Sequence, residues 1–295
     1  MSKQVLILGS NGLLGRHLIK ELIDYDVVAS DIQSTSSLNV PYHQCDLTRP
    51  TEIMKLHSDV NPEIIIFCVG IFSTQDRRIL ENVNAHTFLN LMNEFAEERP
   101  RVFVISSASV YGRVPVEALP LNEDYEGIPS SNYGLSKYVL ESYANYFENV
   151  TVIRPSNFLG RGLSEHLLAG KLVKETQKKD VIELFNLSSI RDFIDIRDFC
   201  SIVHRLLELP DVPSPINISS GVGTSVGEIV KTLEKVLSKK LEVILTDKEP
   251  DPRYKAHVQN DRRLREFMKQ HGLNLDEIRK YSLQDSLQYM VENSS

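Results

Sequence analysis

The chain has 295 residues, 41% of them hydrophobic, and a formal charge of −7. That is enough apolar chain for one large or two fused domains, and the acidic balance excludes nucleic acid or an anionic membrane as partner. The longest apolar stretch, Ile64 to Phe72, is too short to span a bilayer, and the first residues enter a strand rather than a cleavable leader, so a cytoplasmic protein is expected.

Val5-Leu6-Ile7-Leu8 is an apolar run that predicts a strand, and Leu18, Ile19 and Leu22 predict the helix that follows. Between them lies Gly9-Ser10-Asn11-Gly12-Leu13-Leu14-Gly15. Gly9 permits the tight turn, Gly12 lets backbone amides approach a pyrophosphate, and Gly15 lets the helix pack closely on its strand. Val27-Val28-Ala29 predicts a second strand ending at Ser30-Asp31, which puts a carboxylate where the adenosine ribose of a dinucleotide would lie. A carboxylate there accepts from two ribose hydroxyls and repels a 2′-phosphate. With no Arg or Lys in Ile32-Gln33-Ser34-Thr35, NAD is expected in preference to NADP.

Further along, strands are predicted over Glu63 to Val69, Arg101 to Ser106 and Thr151 to Arg154, with helices through Val83 to Phe95 and Tyr133 to Phe147. This alternation specifies an α/β fold of Rossmann type, a doubly wound parallel sheet, and strands without polar alternation fit a sheet covered on both faces. The second half predicts helices over Glu165 to Gln177 and Ser225 to Leu237, strands over Val181 to Phe185 and Glu242 to Leu245, and a loop punctuated by Pro210, Pro213 and Pro215. Residues 1–160 are therefore expected to form the dinucleotide-binding domain. Residues 161–295 form a smaller α/β part for substrate, with the chain near 190–212 returning to the first domain. The three cysteines, Cys45, Cys68 and Cys200, and the eight histidines show no spacing for a disulfide framework or a metal site, and no metal is expected.

Two segments carry candidate chemistry. In Asn132-Tyr133-Gly134-Leu135-Ser136-Lys137 a phenol and an ammonium stand four residues apart, on one face of the predicted helix. Lys137 can there stabilise a phenolate whose reference pKa is about 10, giving an acid/base for hydride chemistry on an alcohol or ketone. The run Ser106-Ser107-Ala108-Ser109 empties from a strand at the sheet edge where ligands bind, and a serine there can both donate to a substrate oxygen and orient Tyr133.

Ordered blocks along nearly the whole chain now carry a resemblance: the glycine turn, Asp31, Asp46-Leu47, Asn84, the Ser107 loop, Tyr133 with Lys137, Arg154-Pro155-Ser156-Asn157, Arg191-Asp192-Phe193-Ile194-Asp195, and Asn217-Ile218-Ser219-Ser220-Gly221. They are similar to the extended short-chain dehydrogenases/reductases of the nucleotide-sugar epimerase/dehydratase group. The resemblance implies Ser107 as catalytic hydroxyl, Tyr133 as acid/base, and Lys137 as the lysine that also holds the nicotinamide ribose. It implies Asp46 at the adenine and further cofactor contacts at Asn11, Leu13, Leu14, Leu47, Val69, Gly70, Asn84 and Pro155. On the substrate side it implies Ser107, Ala108, Ser109, Tyr133, Asn157 at the sugar nucleotide, and Arg191 at its pyrophosphate. A planar guanidinium suits that last role, although Arg191 could instead pair with Asp192, Asp195 or Asp198. Lys248 or Arg253 falls where relatives carry another phosphate contact.

The expected partner is a nucleotide-diphosphate sugar, and the resemblance implies a homodimer built through the helices Val83 to Phe95 and Tyr133 to Phe147. Ala108 and Ser109 stand where dehydratases of this type carry Asp-Glu, which argues against dehydration. An NAD-dependent 4-epimerase is placed first. A reductase of nucleotide 4-keto-6-deoxy sugars follows, favoured by the short segment before Arg191, and a non-catalytic NAD-binding regulator is the reading from another class.

Overall fold

The structure, a computed structural model, describes residues 2–246 and 255–292. The chain divides into two compact units: residues 1–112, 126–155 and 203–216 form the first, and 113–125, 156–202 and 217–295 the second. The expected boundary at 160 falls at 155, and the returning segment is 203–216 rather than 190–212. Residues 190–195 stay with the second unit because that strand pairs there on both sides.

In the first unit, β1 (Gln4–Leu8) leads through the glycine turn into α1 (Leu13–Glu21), followed by β2 (Asp26–Asp31), β3 (Tyr42–Gln44), α2 (Pro50–Asp59) and β4 (Ile64–Phe67). Next come α3 (Arg77–Glu81), a π-helical turn over Asn82–His86, α4 (Thr87–Glu94) and β5 (Arg101–Ile105). A 3₁₀ helix (Ala108–Tyr111), α5 (Asn132–Ala144) and β6 (Val150–Pro155) complete the series. The second unit holds β7 (Asn157–Leu159), α6 (Leu168–Thr176), β8 (Val181–Leu184) and β9 (Ile190–Asp195). Helix α7 (Ile196–Glu208) has residues in both units, as does β10 (Ile216–Ile218). Strand β11 (Gly223–Ser225), α8 (Val226–Leu237), β12 (Glu242–Leu245), β13 (Ala256–His257), α9 (Arg262–Gln270), α10 (Leu275–Ile278) and α11 (Leu283–Val291) follow in the second.

The main sheet has seven strands in the order β10-β6-β5-β4-β1-β2-β3, and β1 to β6 pair in parallel. Strand order therefore reverses beside β1, with β2 on one flank and β4 on the other. In such a sheet the ligand crevice opens at the carboxyl ends of the two strands that diverge. Leu6, Ile65 and Val104 are completely buried, and Phe88 of α4 meets Phe67 edge-on at 5.7 Å. These Ile/Val/Phe runs lack polar alternation because both faces of the sheet are covered.

In the second unit β9 is the central strand, flanked by β7, β11 and β13, while β8 pairs with β12. Its core gathers Leu172, Ile182, Ile229, Leu233 and Leu287. Helix α8 begins with a capping box between Ser225 and Glu228, which satisfies its first orphan amides. Helix α6 starts at Leu168, three residues later than the predicted Glu165, and the predicted helix Val83 to Phe95 is interrupted by the π-helical turn at its start. Among the described residues no helix is long and apolar enough to cross a membrane.

Candidate active site

The carboxyl ends of β1 and β4 open on a cavity of about 310 Å³, lined by Gly9, Asn11, Gly12, Asp31, Asp46, Leu47, Val69 and Gly70 among others. The backbone there is built for close approach. Gly9 has φ +78°, and a Cβ on it would lie 3.1 Å from the backbone of Cys68 and Val69. Gly12 caps α1 with no side-chain hydrogen bond, so the first-turn amides of Leu13, Leu14 and Gly15 stand ready for an anion with the helix dipole behind them. Asp31 is oriented by two backbone donors, Asn11 N at 3.0 Å and Gln33 N at 3.3 Å, leaving each oxygen one further lone pair for a ribose hydroxyl. Together the side-chain-free cradle, the open helix terminus and the fixed carboxylate fit NAD.

Several predicted cofactor residues have other work to do. Asp46 accepts from Thr48 N at 2.9 Å and Thr48 Oγ1 at 2.7 Å, and both Asp46 and Leu47 line the cavity. Asn84 is fully buried in the π-helical turn and does not line the cavity: its amide binds Ile71 O and Ser136 Oγ, both at 2.9 Å, and accepts from Ile71 N at 2.7 Å. It clamps the segment after β4 to α5, a use to which π-bulges are often put. Pro155 is buried at the end of β6. Unforeseen wall residues include Gln33, Thr48, Cys68, Ile71 and Thr87.

Strand β5 delivers Ser107 to the helix that carries Tyr133. Ser107 caps the 3₁₀ helix through Ser109 N at 3.1 Å, and its side chain adjoins the Tyr133 phenol closely enough to act on its pKa. Ala108 and Ser109 sit half-buried in that 3₁₀ helix, which approaches α5 so closely that a Cβ at Gly134 would lie 2.6 Å from Ser109 O. The glycine beside Tyr133 is thus a requirement of the loop it faces. Burial raises the Tyr133 pKa, with the Ser107 side chain opposing, so the phenol is held in its protonated, acid form.

Lys137 is 3% exposed and donates to Ile105 O at 2.9 Å and Val69 O at 3.2 Å. It therefore links the ends of β4 and β5 across the helix face, and its hydrogen bonds go to these carbonyls rather than to the phenol. Desolvation lowers its pKa from 10.5 to about 8, against the raising effect of Cys68 and Glu141. Cys68 is itself pushed up to about 12 by burial and is a neutral thiol at that pH, so Glu141 supplies the standing negative charge.

A stability prediction follows from the sign of this shift. The unfolded chain keeps the lysine proton up to about pH 10.5, while the folded protein releases it near pH 8. The cost of burying the charge is present in full below pH 8 and is relieved as pH rises toward 10.5, by about 1.4 kcal/mol per unit. Unfolding free energy of the cofactor-free protein, measured against Lys137→Met, should climb through that window. A flat difference would mean the ammonium is not desolvated.

In the second unit, Arg191 of β9 is half-buried, and its Nη1 donates to Ile190 O at 2.7 Å. Burial lowers its pKa. The three neighbouring carboxylates are otherwise engaged: Asp192 accepts from Ser220 Oγ at 2.7 Å, Asp195 from Arg197 Nη2 at 2.8 Å, and Asp198 from Lys280 N at 2.9 Å. Arg191 forms no ion pair among the described residues, so the alternative of a surface cluster is not what the chain builds. Asn157 is exposed and donates to Asp192 O at 2.9 Å, tying β7 to β9. Lys248 and Arg253 lie outside the described residues.

Comparison with known proteins follows the same lines. The chain is 28% identical over 252 residues to a GDP-6-deoxy-D-talose 4-dehydrogenase of Aggregatibacter actinomycetemcomitans, covering 81% of this chain and 82% of that protein. It is 26% identical over 263 residues to a GDP-6-deoxy-D-mannose reductase of Pseudomonas aeruginosa, covering 83% of each. The fold matches the structure of RMD from Pseudomonas aeruginosa complexed with NADPH, with a TM-score of 0.81 at 22% identity over 99% of this chain and 97% of the other. It also matches a Thermus thermophilus UDP-glucose 4-epimerase complexed with NAD, with a TM-score of 0.82 at 20% identity over 98% of each chain. The profile of the NAD dependent epimerase/dehydratase family matches residues 5–219, and with this cradle, this sheet and this strand order the chain belongs to that family.

Proposed function

We propose that the protein interconverts an alcohol and a ketone at C4 of a nucleotide-diphosphate sugar, in the manner of a 4-dehydrogenase or 4-keto-6-deoxy-sugar reductase. The observation that carries the reading is the close approach of the Ser107 loop to the helix face that bears Tyr133 and Lys137, which sets a serine hydroxyl beside the phenol. Bound NAD would supply hydride exchange at the sugar carbon, the chemistry the protein's own side chains lack. In ketone reduction Ser107 orients the carbonyl oxygen, and the Tyr133 O–H bond breaks as its proton passes to that oxygen. The phenolate regains a proton from solvent. In alcohol oxidation the proton runs the other way, and the Lys137 ammonium on the same helix face favours the phenolate.

Arg191, a desolvated guanidinium with no ion-pair partner among the described residues, is suited to the substrate pyrophosphate as a bidentate donor. The relatives of 28% and 26% identity, named for chemistry at a 6-deoxyhexose, support a nucleotide-linked 6-deoxyhexose as substrate. The 4-epimerase reading placed first on the sequence shares each of these proton steps. It is supported by Asp31, whose carboxylate suits NAD, and by a 24% identical UDP-glucose 4-epimerase of Oryza sativa. A non-catalytic regulator would have no use for Ser107 and Tyr133 in this arrangement.

The deciding test is a panel of nucleotide sugars and their 4-keto forms, followed at the reduced-nicotinamide absorbance band. One NADH consumed per ketone reduced is expected. Conversion of UDP-glucose with no net absorbance change would replace the reductase with the epimerase. We propose a cytoplasmic protein and a homodimer through the helices Val83 to Phe95 and Tyr133 to Phe147, where Tyr138 of α5 is 47% exposed and Tyr146, just past its end, 85%. A sedimentation mass of one chain would refute the dimer.

A further inference from the structure

Three consecutive residues at the end of β5 are each tied to α5. Lys137 Nζ donates to Ile105 O at 2.9 Å, the Ser106 hydroxyl donates to Glu141, and the Ser107 side chain adjoins the Tyr133 phenol. Residues 133, 137 and 141 recur at every fourth position and so form one stripe along the helix. Two members of that stripe are the acid/base and its lysine. The third is a carboxylate only 6% exposed, for which the proton steps above have no direct use.

Glu141 is held firmly from its other side. Arg154 of β6 grips it as a fork, Nη2 to Oε2 at 2.7 Å and Nε to Oε1 at 3.0 Å, and the ion pair is largely buried. The same guanidinium donates through Nη1 to the Tyr111 hydroxyl at 3.1 Å and lies 4.9 Å from the centre of that ring. Tyr111, only 1% exposed, closes the 3₁₀ helix that begins directly after Ser107. The two ends of the Ser107 segment, Ser106 and Tyr111, therefore meet on one buried ion pair. A buried pair of this kind adds little net stability over an apolar replacement, yet removing one partner strands the other. Its placement at both ends of one loop suits it to fixing geometry.

We propose that Glu141 is the positioning residue of this site: pinned by Arg154, it holds the strand end that carries Ser107 against the face of α5 that carries Tyr133 and Lys137. This deepens the Ser107–Tyr133–Lys137 reading proposed above and rests on it. Glu141 touches no reacting atom. It acts through Ser106 on the hydroxyl next in the chain, and through its charge on the ammonium one helical turn away.

The test compares Glu141→Gln, which keeps the shape and removes the charge, with Glu141→Asp, which keeps the charge, in the cofactor-free full-length protein. Unfolding free energy is measured from pH 6 to 10 for each protein and for its Lys137→Met partner. The difference within each pair reports the lysine alone. Its upward bend should begin near pH 8 in the parent and about one unit lower in Glu141→Gln, with Glu141→Asp restoring the parent onset. Amide exchange across residues 105–112 should speed up about tenfold or more in Glu141→Gln, a loss of local protection. A Glu141→Gln protein with the parent onset, or with parent exchange in that segment, overturns the proposal. Should this variant fail to fold, Ser106→Ala removes the tie to Ser106 alone and leaves the ion pair; faster exchange across 105–112 is then expected, and unchanged exchange overturns the proposal. None of these readouts needs a substrate, so failure of the reaction assigned to Tyr133 is seen separately, as a Tyr133→Phe enzyme that still turns over.

Discussion

Replacing Tyr133 by phenylalanine should lower turnover by about 10²–10⁴-fold, the range that a positioned acid/base contributes, while nucleotide-sugar affinity and melting temperature stay near those of the parent. The substitution removes one oxygen and keeps the ring, and the edge-on contact between Phe72 and Tyr133, centroids 6.4 Å apart, survives it. What disappears is the proton given to, or taken from, the sugar oxygen. A hydride cannot reach a ketone at a useful rate while negative charge accumulates on an oxygen with no donor. The expected pattern is therefore a fall in kcat with little change in KM. Turnover of the sugar nucleotide at the parent rate would remove Tyr133 from the chemistry and reopen the reading as a dinucleotide-binding regulator.

The second large effect is expected at Gly15. A Cβ there would lie 2.6 Å from Gly9 O and 2.6 Å from Ser10 Cα, and both are backbone atoms that no rotamer change can move. Gly15→Ala must therefore push α1 away from the turn, at a cost of about 1–3 kcal/mol, the usual range for overpacking a tight site. The same shift moves the first-turn amides of α1 relative to Gly9, so NAD affinity should fall by about tenfold or more. Gly227 is the control. Its nearest neighbour would be Leu187 O at 3.4 Å, an ordinary contact, so Gly227→Ala should leave both quantities near the parent values. Parent NAD affinity in Gly15→Ala, measured by calorimetry, would show that this turn is not the cofactor cradle.

The two effects differ in how openly the sequence announces them. The glycine turn is legible because its requirements are local: a strand, a left-handed glycine and a helix terminus are neighbours in the chain, and each restricts its own residue type. Asp31 is legible for the same reason, since it simply ends the second strand. The pairing of Ser107 with Tyr133 depends on β5 and α5 coming together across a separation of 26 positions. The serine run is visible in its own segment, but which serine faces Tyr133 is set by that packing and is implied in the sequence only by the family resemblance.

Other features gave no local signal. Asn84 matches a cofactor position in the family pattern, yet in this chain its amide is spent on Ile71 and Ser136, because the π-helical turn directs it toward α5. Glu141 and Arg154 read as one more charge on a helix and one at a strand end. Only the fold makes them a buried fork next to the site. The division into units likewise has no local signal, since 113–125 and 203–216 each belong to a different unit from their chain neighbours without any change in composition.

The sequence by itself determined the fold class and marked the candidate cofactor turn and the candidate acid/base pair, because helix and strand periodicity, glycine conformation and spacing of four along a helix act between residues close in the chain. Tertiary structure alone decided what surrounds these groups: that Lys137 is buried against two strand ends, that burial pushes the Tyr133 phenol's pKa up, and that Arg191 is left without an ion-pair partner among the described residues. Desolvation and hydrogen bonding depend on what surrounds a group in space, and those neighbours come from strands and helices distant in sequence.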